Sequence, residues 1–105
     1  MKKPLGTFSE IASITGGTLK CLSGAEEGLV DTVSADTRTM SAGALFFAVR
    51  GERTDGHLYL PQAFGAGAAL AVVEKNHPAL EGLDPEAALI EVDDTLEAMH
   101  RLAAS

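Results

Sequence analysis

Tryptophan is absent from this sequence, and tyrosine and cysteine occur once each, at Tyr59 and Cys21. A lone thiol forms no internal disulfide, so packing alone must hold the fold, and a reducing cytoplasm suits such a chain. With no base placed to activate it, Cys21 reads as a small packing residue rather than a nucleophile. Basic groups are scarce too: eight Lys and Arg stand against fifteen Asp and Glu, a formal net charge of −7. No Lys/Arg cluster is available to displace counterions, which excludes a general nucleic-acid surface. Lys2 and Lys3 open the chain, but no long apolar core follows, so a signal peptide is not expected. No apolar run approaches the roughly 20 residues of a membrane span, and no membrane association is expected.

Several catalytic signatures are missing as well. Gly16-Gly17-Thr18-Leu19-Lys20 lacks the longer glycine loop and the Lys-Ser/Thr pair of a phosphate loop, so it reads as a helix stop leading into a strand. There is no Gly-x-Ser-x-Gly elbow, and no catalytic residue is expected. His57, His77 and His100 are widely spaced, without a Cys or a helical His partner, so no metal site is expected. Asp93-Asp94 could serve acid–base or metal chemistry, but a helix follows directly and the pair reads as its cap.

What the chain does have is apolar content, 46% of 105 residues, enough for one domain with a modest core. Thr7-Phe8-Ser9-Glu10 has capping-box spacing, with Phe8, Ile11, Ala12 and Ile14 as the apolar stripe of a short helix and Gly16-Gly17 as its stop. The pattern predicts a strand over 18–22, an acidic turn over 23–28 and an alternating, β-branched strand over 29–35. Apolar runs at 44–49, 68–74 and 88–92 predict strands covered on both faces. Residues 58–66 predict a helix with Pro61 in its first turn, and 76–86 a surface connection. Asp94-Thr95-Leu96-Glu97 repeats the capping spacing and opens a helix with Leu96, Met99, Leu102 and Ala103 on one face. The order of elements predicts a small single α/β domain, a mixed or parallel sheet flanked by helices.

Residues 33–57 concentrate the polar groups around the apolar run at 44–49. Asp36, Thr37 and Arg38 precede it, and Arg50, Glu52, Arg53, Thr54 and Asp55 follow. Loops at the ends of a buried strand are where α/β proteins build ligand sites. Asp36 suits an Asx-turn in a solvated loop, while Thr37 and Arg38 offer the hydroxyl and planar cation that a pyrophosphate would engage. Residue types alone leave both readings open.

Asp36-Thr37-Arg38, Ala42-Gly43-Ala44-Leu45-Phe46, Arg50-Gly51-Glu52-Arg53-Thr54-Asp55-Gly56-His57, Gln62-Ala63 and Gly67-Ala68 form a spaced series. In that series the chain resembles the N-terminal domain of the Mur ligases, ATP-dependent amide-forming enzymes of bacterial peptidoglycan synthesis. The resemblance spans essentially the whole sequence. Val92-Asp93-Asp94-Thr95-Leu96 and the Gly51-Glu52-Arg53 run place it nearest the members that add D-alanyl-D-alanine. The diaminopimelate- or lysine-adding members, or a non-catalytic interaction module of the same fold, are the alternatives.

The resemblance implies a cytoplasmic domain that grips the UDP end of UDP-N-acetylmuramoyl-peptide. It implies Ala35, Thr37, Arg38, Glu52, Arg53 and Thr54 at the UDP moiety, with Asp36, Gly51, Asp55, Gly56 and His57 as the supporting loop. It also implies a central ATPase domain, using ATP and Mg²⁺, and a C-terminal domain beyond the point where this sequence stops. No cofactor is expected within residues 1–105, and no catalysis by them alone.

Overall fold

The computed structural model describes residues 6–21, 28–38, 40–50, 54–83 and 87–104. Helix α1 (Phe8–Thr15) begins with the expected capping box. Thr7 Oγ1 accepts from the Glu10 N–H at 3.1 Å, and Glu10 Oε1 accepts from the Thr7 N–H at 3.0 Å. The helix ends at Gly16, whose φ of 74° is the left-handed conformation glycine adopts without a Cβ penalty. Its buried face is Phe8, Ile11, Ala12 and Thr15, the i, i+3, i+4, i+7 set. Ile14, expected on that stripe, lies one position off it and is only half-buried. Thr15 takes the place because its hydroxyl is satisfied by the Ile11 carbonyl at 2.8 Å.

Strands β1 (Gly6–Thr7) and β3 (Leu29–Val30) pair antiparallel as a small separate ribbon. The main sheet comprises β2 (Thr18–Lys20), β4 (Val33–Ser34), β5 (Leu45–Phe47), β6 (Leu70–Glu74) and β7 (Leu89–Val92). Its order is β2-β7-β6-β5-β4, parallel throughout except for β2, which runs antiparallel to β7. The sheet is therefore mixed.

Both faces of the central strands are covered, which is why they read as unbroken apolar runs. Leu45, Phe47, Leu70, Val72, Ile90 and Val92 pack against α1 and against Ala98 of α3 (Thr95–Ala104). Phe46, Ala48, Ala71 and Val73 point the other way, onto Leu60 and Ala63 of α2 (Leu60–Gly65). Adjacent Phe46 and Phe47 thus belong to two different cores.

Three further expectations are corrected. The strand expected over 29–35 is two strands in two sheets. Between them the Asp31 N–H donates to the Gly43 carbonyl, and the Thr32 carbonyl accepts from the Leu45 N–H at 2.7 Å, so the backbone changes partners there. The helix expected over 58–66 starts as a 3₁₀ turn, Gly56–Tyr59, before α2. Pro61 has no N–H to give the His57 carbonyl, which accepts from Leu60 instead and tightens the turn. Within the connection at 76–86, Pro78–Gly82 form another 3₁₀ turn. In α3 the inward set is Thr95, Ala98, Met99 and Leu102, while Leu96 and Ala103 are exposed.

Asp94 caps α3 as expected, its Oδ1 accepting from Leu96 N–H at 2.9 Å and Glu97 N–H at 3.1 Å. The reciprocal half of the box is missing, because Glu97 pairs with Arg101 at 2.9 Å. Asp93 turns away to Lys75, at 2.7 Å. Among the described residues, no helix is long and apolar enough to cross a membrane.

Candidate functional site

The chain leaving β4 and the chain following β5 meet at the C-terminal ends of these parallel strands, where open α/β sheets place their ligands. Between them lies a cleft of about 490 Å³, within the usual size of a small-molecule site. One wall is Ala35, Asp36, Thr37 and Arg38; the other is Thr54, Tyr59 and Gln62, with Phe46 also lining the space.

The first wall is a tightly bonded turn. Ser34 Oγ donates to the Asp36 carbonyl at 2.9 Å and accepts from the Asp36 N–H at 3.1 Å. Asp36 Oδ1 then accepts from the Arg38 N–H at 2.9 Å, the Asx-turn expected from sequence. The same carboxylate takes the Arg38 guanidinium as a fork, Nε to Oδ1 at 3.1 Å and Nη2 to Oδ2 at 2.9 Å. The Arg38 side chain hydrogen bond holds the Asp36 carboxyl below its ordinary range, and Asp36 raises Arg38 in return. Arg38 is thus already paired, and its exposed side chain would share its charge with an incoming anion. The Thr37 hydroxyl makes no hydrogen bond among the described residues.

The second wall is anchored behind the cleft. Thr54 Oγ1 reaches Tyr59 Oη at 3.4 Å. Asp55 caps the 3₁₀ turn through His57 N–H at 3.0 Å. Gly56 donates to the Val49 carbonyl at 2.9 Å, and a Cβ built on it would lie 2.8 Å from the Val49 nitrogen. Only glycine allows that approach.

Asp55, His57 and His77 gather here, their donor atoms all within 4.8 Å of one another. His57 Nδ1 lies 2.6 Å from Asp55 Oδ1, and His77 Nε2 lies 2.8 Å from Asp55 Oδ2. The remaining ring nitrogens accept from backbone, His57 Nε2 from Glu74 N–H and His77 Nδ1 from Ala79 N–H. A metal bound at the inner nitrogens would force protons onto the outer ones, against those two N–H groups. The cluster therefore suits hydrogen bonding better than metal ligation.

Burial raises the Asp55 carboxyl, but the His57 backbone N–H and the two ring N–H groups outweigh it and hold the group well below the ordinary carboxylate range. Its contribution to stability is complete above the unfolded carboxylate pKa, about 4, and is lost as pH falls through the lower folded one. Urea midpoints measured at about pH 5 and about pH 3 should show a smaller acid loss in Asp55→Asn than in the parent. Equal losses would remove Asp55 as the origin.

Of the residues expected at a ligand, Ala35, Thr37, Arg38 and Thr54 line one cleft, together with the supporting Asp36. Asp55, Gly56 and His57 stand behind its wall. Gly51, Glu52 and Arg53 lie outside the described residues. Phe46 and Tyr59 were not anticipated on the cleft, and Gln62 was noted only as part of the spaced series. His77 gave no sequence signal, since it stands twenty-two residues from Asp55. The lining offers hydroxyls, a guanidinium and aromatic faces, groups that bind and orient a polar ligand.

A family model described as the Mur ligase family, catalytic domain, matches residues 29–105. UDP-N-acetylmuramoyl-tripeptide–D-alanyl-D-alanine ligase of Bacillus subtilis (strain 168) is 39% identical over 98 residues, 92% of this chain and 20% of that protein. UDP-N-acetylmuramyl-tripeptide synthetase of Roseiflexus sp. (strain RS-1) is 47% identical over 70 residues, 67% of this chain and 13% of that protein. A crystal structure of MurF from Acinetobacter baumannii superposes with a TM-score of 0.79 at 27% identity, covering 97% of this chain and 21% of that one. The chain spans about a fifth or less of the length of these relatives. Its fold is that of a MurF N-terminal domain. The family model runs from β3 through α3 and takes in both walls of the cleft; with a relative so similar across nearly the whole sequence, this chain belongs to the Mur ligase family.

Proposed function

We propose that this domain holds the UDP end of UDP-N-acetylmuramoyl-peptide for a cytoplasmic, ATP-dependent ligase that adds D-alanyl-D-alanine to the peptidoglycan precursor. One observation carries the reading: the polar turn 35–38 and the aromatic wall at Tyr59 face each other across a single nucleotide-sized cleft. Thr37 supplies a hydroxyl and Arg38 a cation at one side, as a diphosphate requires. Tyr59 supplies an exposed aromatic ring for a base, while the buried Phe46 borders the cleft from the core. Thr54 lines the opposite wall, and we assign Glu52 and Arg53 to the same ligand by their place in the loop that precedes it. The domain would contribute binding energy and orientation, while the reacting groups come from elsewhere. ATP and Mg²⁺ do not fit these residues, because no phosphate loop is present and the Asp36 carboxylate is tied to Arg38. They belong to a central ATPase domain following this one, with the amino substrate brought by a C-terminal domain.

The similarity to a tripeptide synthetase favours a second reading, in which the ligase adds the third residue of the stem peptide. The two share the UDP end and differ in what the remaining domains bring. Thr37→Val tests the common element, since it keeps the β-branched shape and removes the hydroxyl. One lost hydrogen bond to a phosphate is worth about 1.5–3 kcal/mol, so UDP affinity should fall roughly tenfold or more in a chemical-shift titration. Unchanged affinity in a folded Thr37→Val protein would leave the turn a purely structural one.

A further inference from the structure

We propose that Asp55, His57 and His77 form a proton-ordered clamp that sets the position of the Tyr59 wall, with His77 as a positioning residue for the ligand. The ligand arm of this inference rests on the cleft being the UDP site; the clamp itself does not.

The proton order follows from two backbone groups. A peptide N–H only donates, so the Glu74 N–H, 2.9 Å from His57 Nε2, requires a lone pair on that nitrogen. The proton of the neutral ring is then on Nδ1, aimed at Asp55 Oδ1. By the same reasoning Ala79 N–H, 3.0 Å from His77 Nδ1, places the His77 proton on Nε2, aimed at Asp55 Oδ2. Each carboxylate oxygen receives one ring N–H, and a reversed tautomer on either ring would set donor against donor. The rings stack face to face, centroids 3.9 Å apart and planes within 4°, with His57 fully buried. Arg50 completes the surroundings, its Nε 2.7 Å from Glu74 and 3.9 Å from Asp55.

What the clamp holds is the cleft wall. Asp55 is bonded to Thr54 through the chain, and His57 lies within the turn that carries Tyr59. Both Thr54 and Tyr59 line the cleft, and their hydroxyls meet. His77 does not line it. Its hydrogen bond to Asp55 therefore acts on the ligand only through the wall, tying that wall to the 3₁₀ turn after β6.

The test pairs ring spectroscopy with two substitutions. In ¹⁵N-labelled protein at neutral pH, His57 should carry its proton on Nδ1 and His77 on Nε2. His77→Asn keeps an acceptor where Nδ1 stands, so the Ala79 N–H remains satisfied, but it cannot reach Asp55. The variant should unfold cooperatively, shift the amide resonances of Thr54 and Tyr59, and bind UDP about threefold to tenfold more weakly. His77→Gln places an amide N–H where Nε2 stands and should recover part of that loss. A His57 proton on Nε2 would overturn the clamp, as would a folded His77→Asn protein with unmoved Thr54 and Tyr59 resonances. Unchanged UDP affinity beside moved resonances would overturn the positioning role. If the parent protein binds no UDP, the functional reading falls, while tautomers and resonances still decide the clamp. Should His77→Asn fail to fold, the parent's tautomers and the response to His77→Gln decide it.

Discussion

Phe47→Ala is expected to destabilise the domain by about 3–5 kcal/mol, the usual cost of truncating a fully enclosed phenylalanine. Phe47 has no exposed surface and sits in the interior strand β5, in the core shared with α1 and α3. Removing its ring leaves a cavity walled by neighbouring strands and by helices capped at fixed positions, so collapse around it is limited. Domains of this kind have only about 5–15 kcal/mol in total, so the variant should approach its unfolding midpoint at modest urea. Ligand affinity of the remaining folded molecules should not change, because Phe47 faces away from the cleft. Phe46→Ala is the contrast: a comparable loss of stability, joined by weaker binding, because Phe46 lines the cleft. A Phe47→Ala protein within about 1 kcal/mol of the parent would mean that this core is far less tightly packed than its burial implies.

Gly56→Ala should also be strongly damaging, and it acts through one methyl group. The new Cβ would lie 2.8 Å from Val49 N, 3.0 Å from Val49 O and 3.2 Å from Ala48 C. All three are backbone atoms just after β5, and none can rotate aside. The turn must therefore move, stretching the hydrogen bond from Gly56 to the Val49 carbonyl. Overpacking and the weakened bond together predict a cost of about 2–4 kcal/mol. Because Asp55 and His57 flank the glycine, the same shift should disturb Thr54 and Tyr59 and lower UDP affinity. Thermal melts and a UDP titration of the same sample would show both effects. A native melting temperature in Gly56→Ala would contradict the close approach.

The fold was legible where local signals and packing agreed. Thr7 and Glu10 announced α1, Asp94 announced α3, and the apolar runs announced strands buried on both faces. It was less legible where tertiary pairing overrode a local pattern. Residues 29–35 alternate as one strand should, yet the backbone bonds of Asp31 and Thr32 to the segment at 43–45 divide it between two sheets. In α3 the sequence stripe through Leu96 fell one position from the true one, because Thr95 can be buried at a helix start beside its capping Asp94. For the cleft, Asp36, Thr37, Arg38 and Thr54 stood out as polar groups crowding a buried strand. Tyr59 and His77 did not, since nothing local distinguishes a lone tyrosine or a loop histidine until the fold brings its partner near.

The pairing of β2 with β7 joins Thr18 to Glu91 and Lys20 to Leu89, so the sheet is closed by segments from opposite ends of the chain. Strands β4 to β7 are added in sequence order, each beside the last. Within this domain α1 and β2 precede the rest of the main sheet, yet their partners α3 and β7 stand last in chain order. Strand β2 must wait for its partner until nearly the whole domain has left the ribosome, whereas β1 and α1 can meet β3 and β5 earlier. A contact that spans the chain in this way carries a large loop-closure cost and slows folding. Pairing of β2 with β7 therefore comes late in assembly, while the described residues lining the ligand cleft all fall between 35 and 62 and can meet before it.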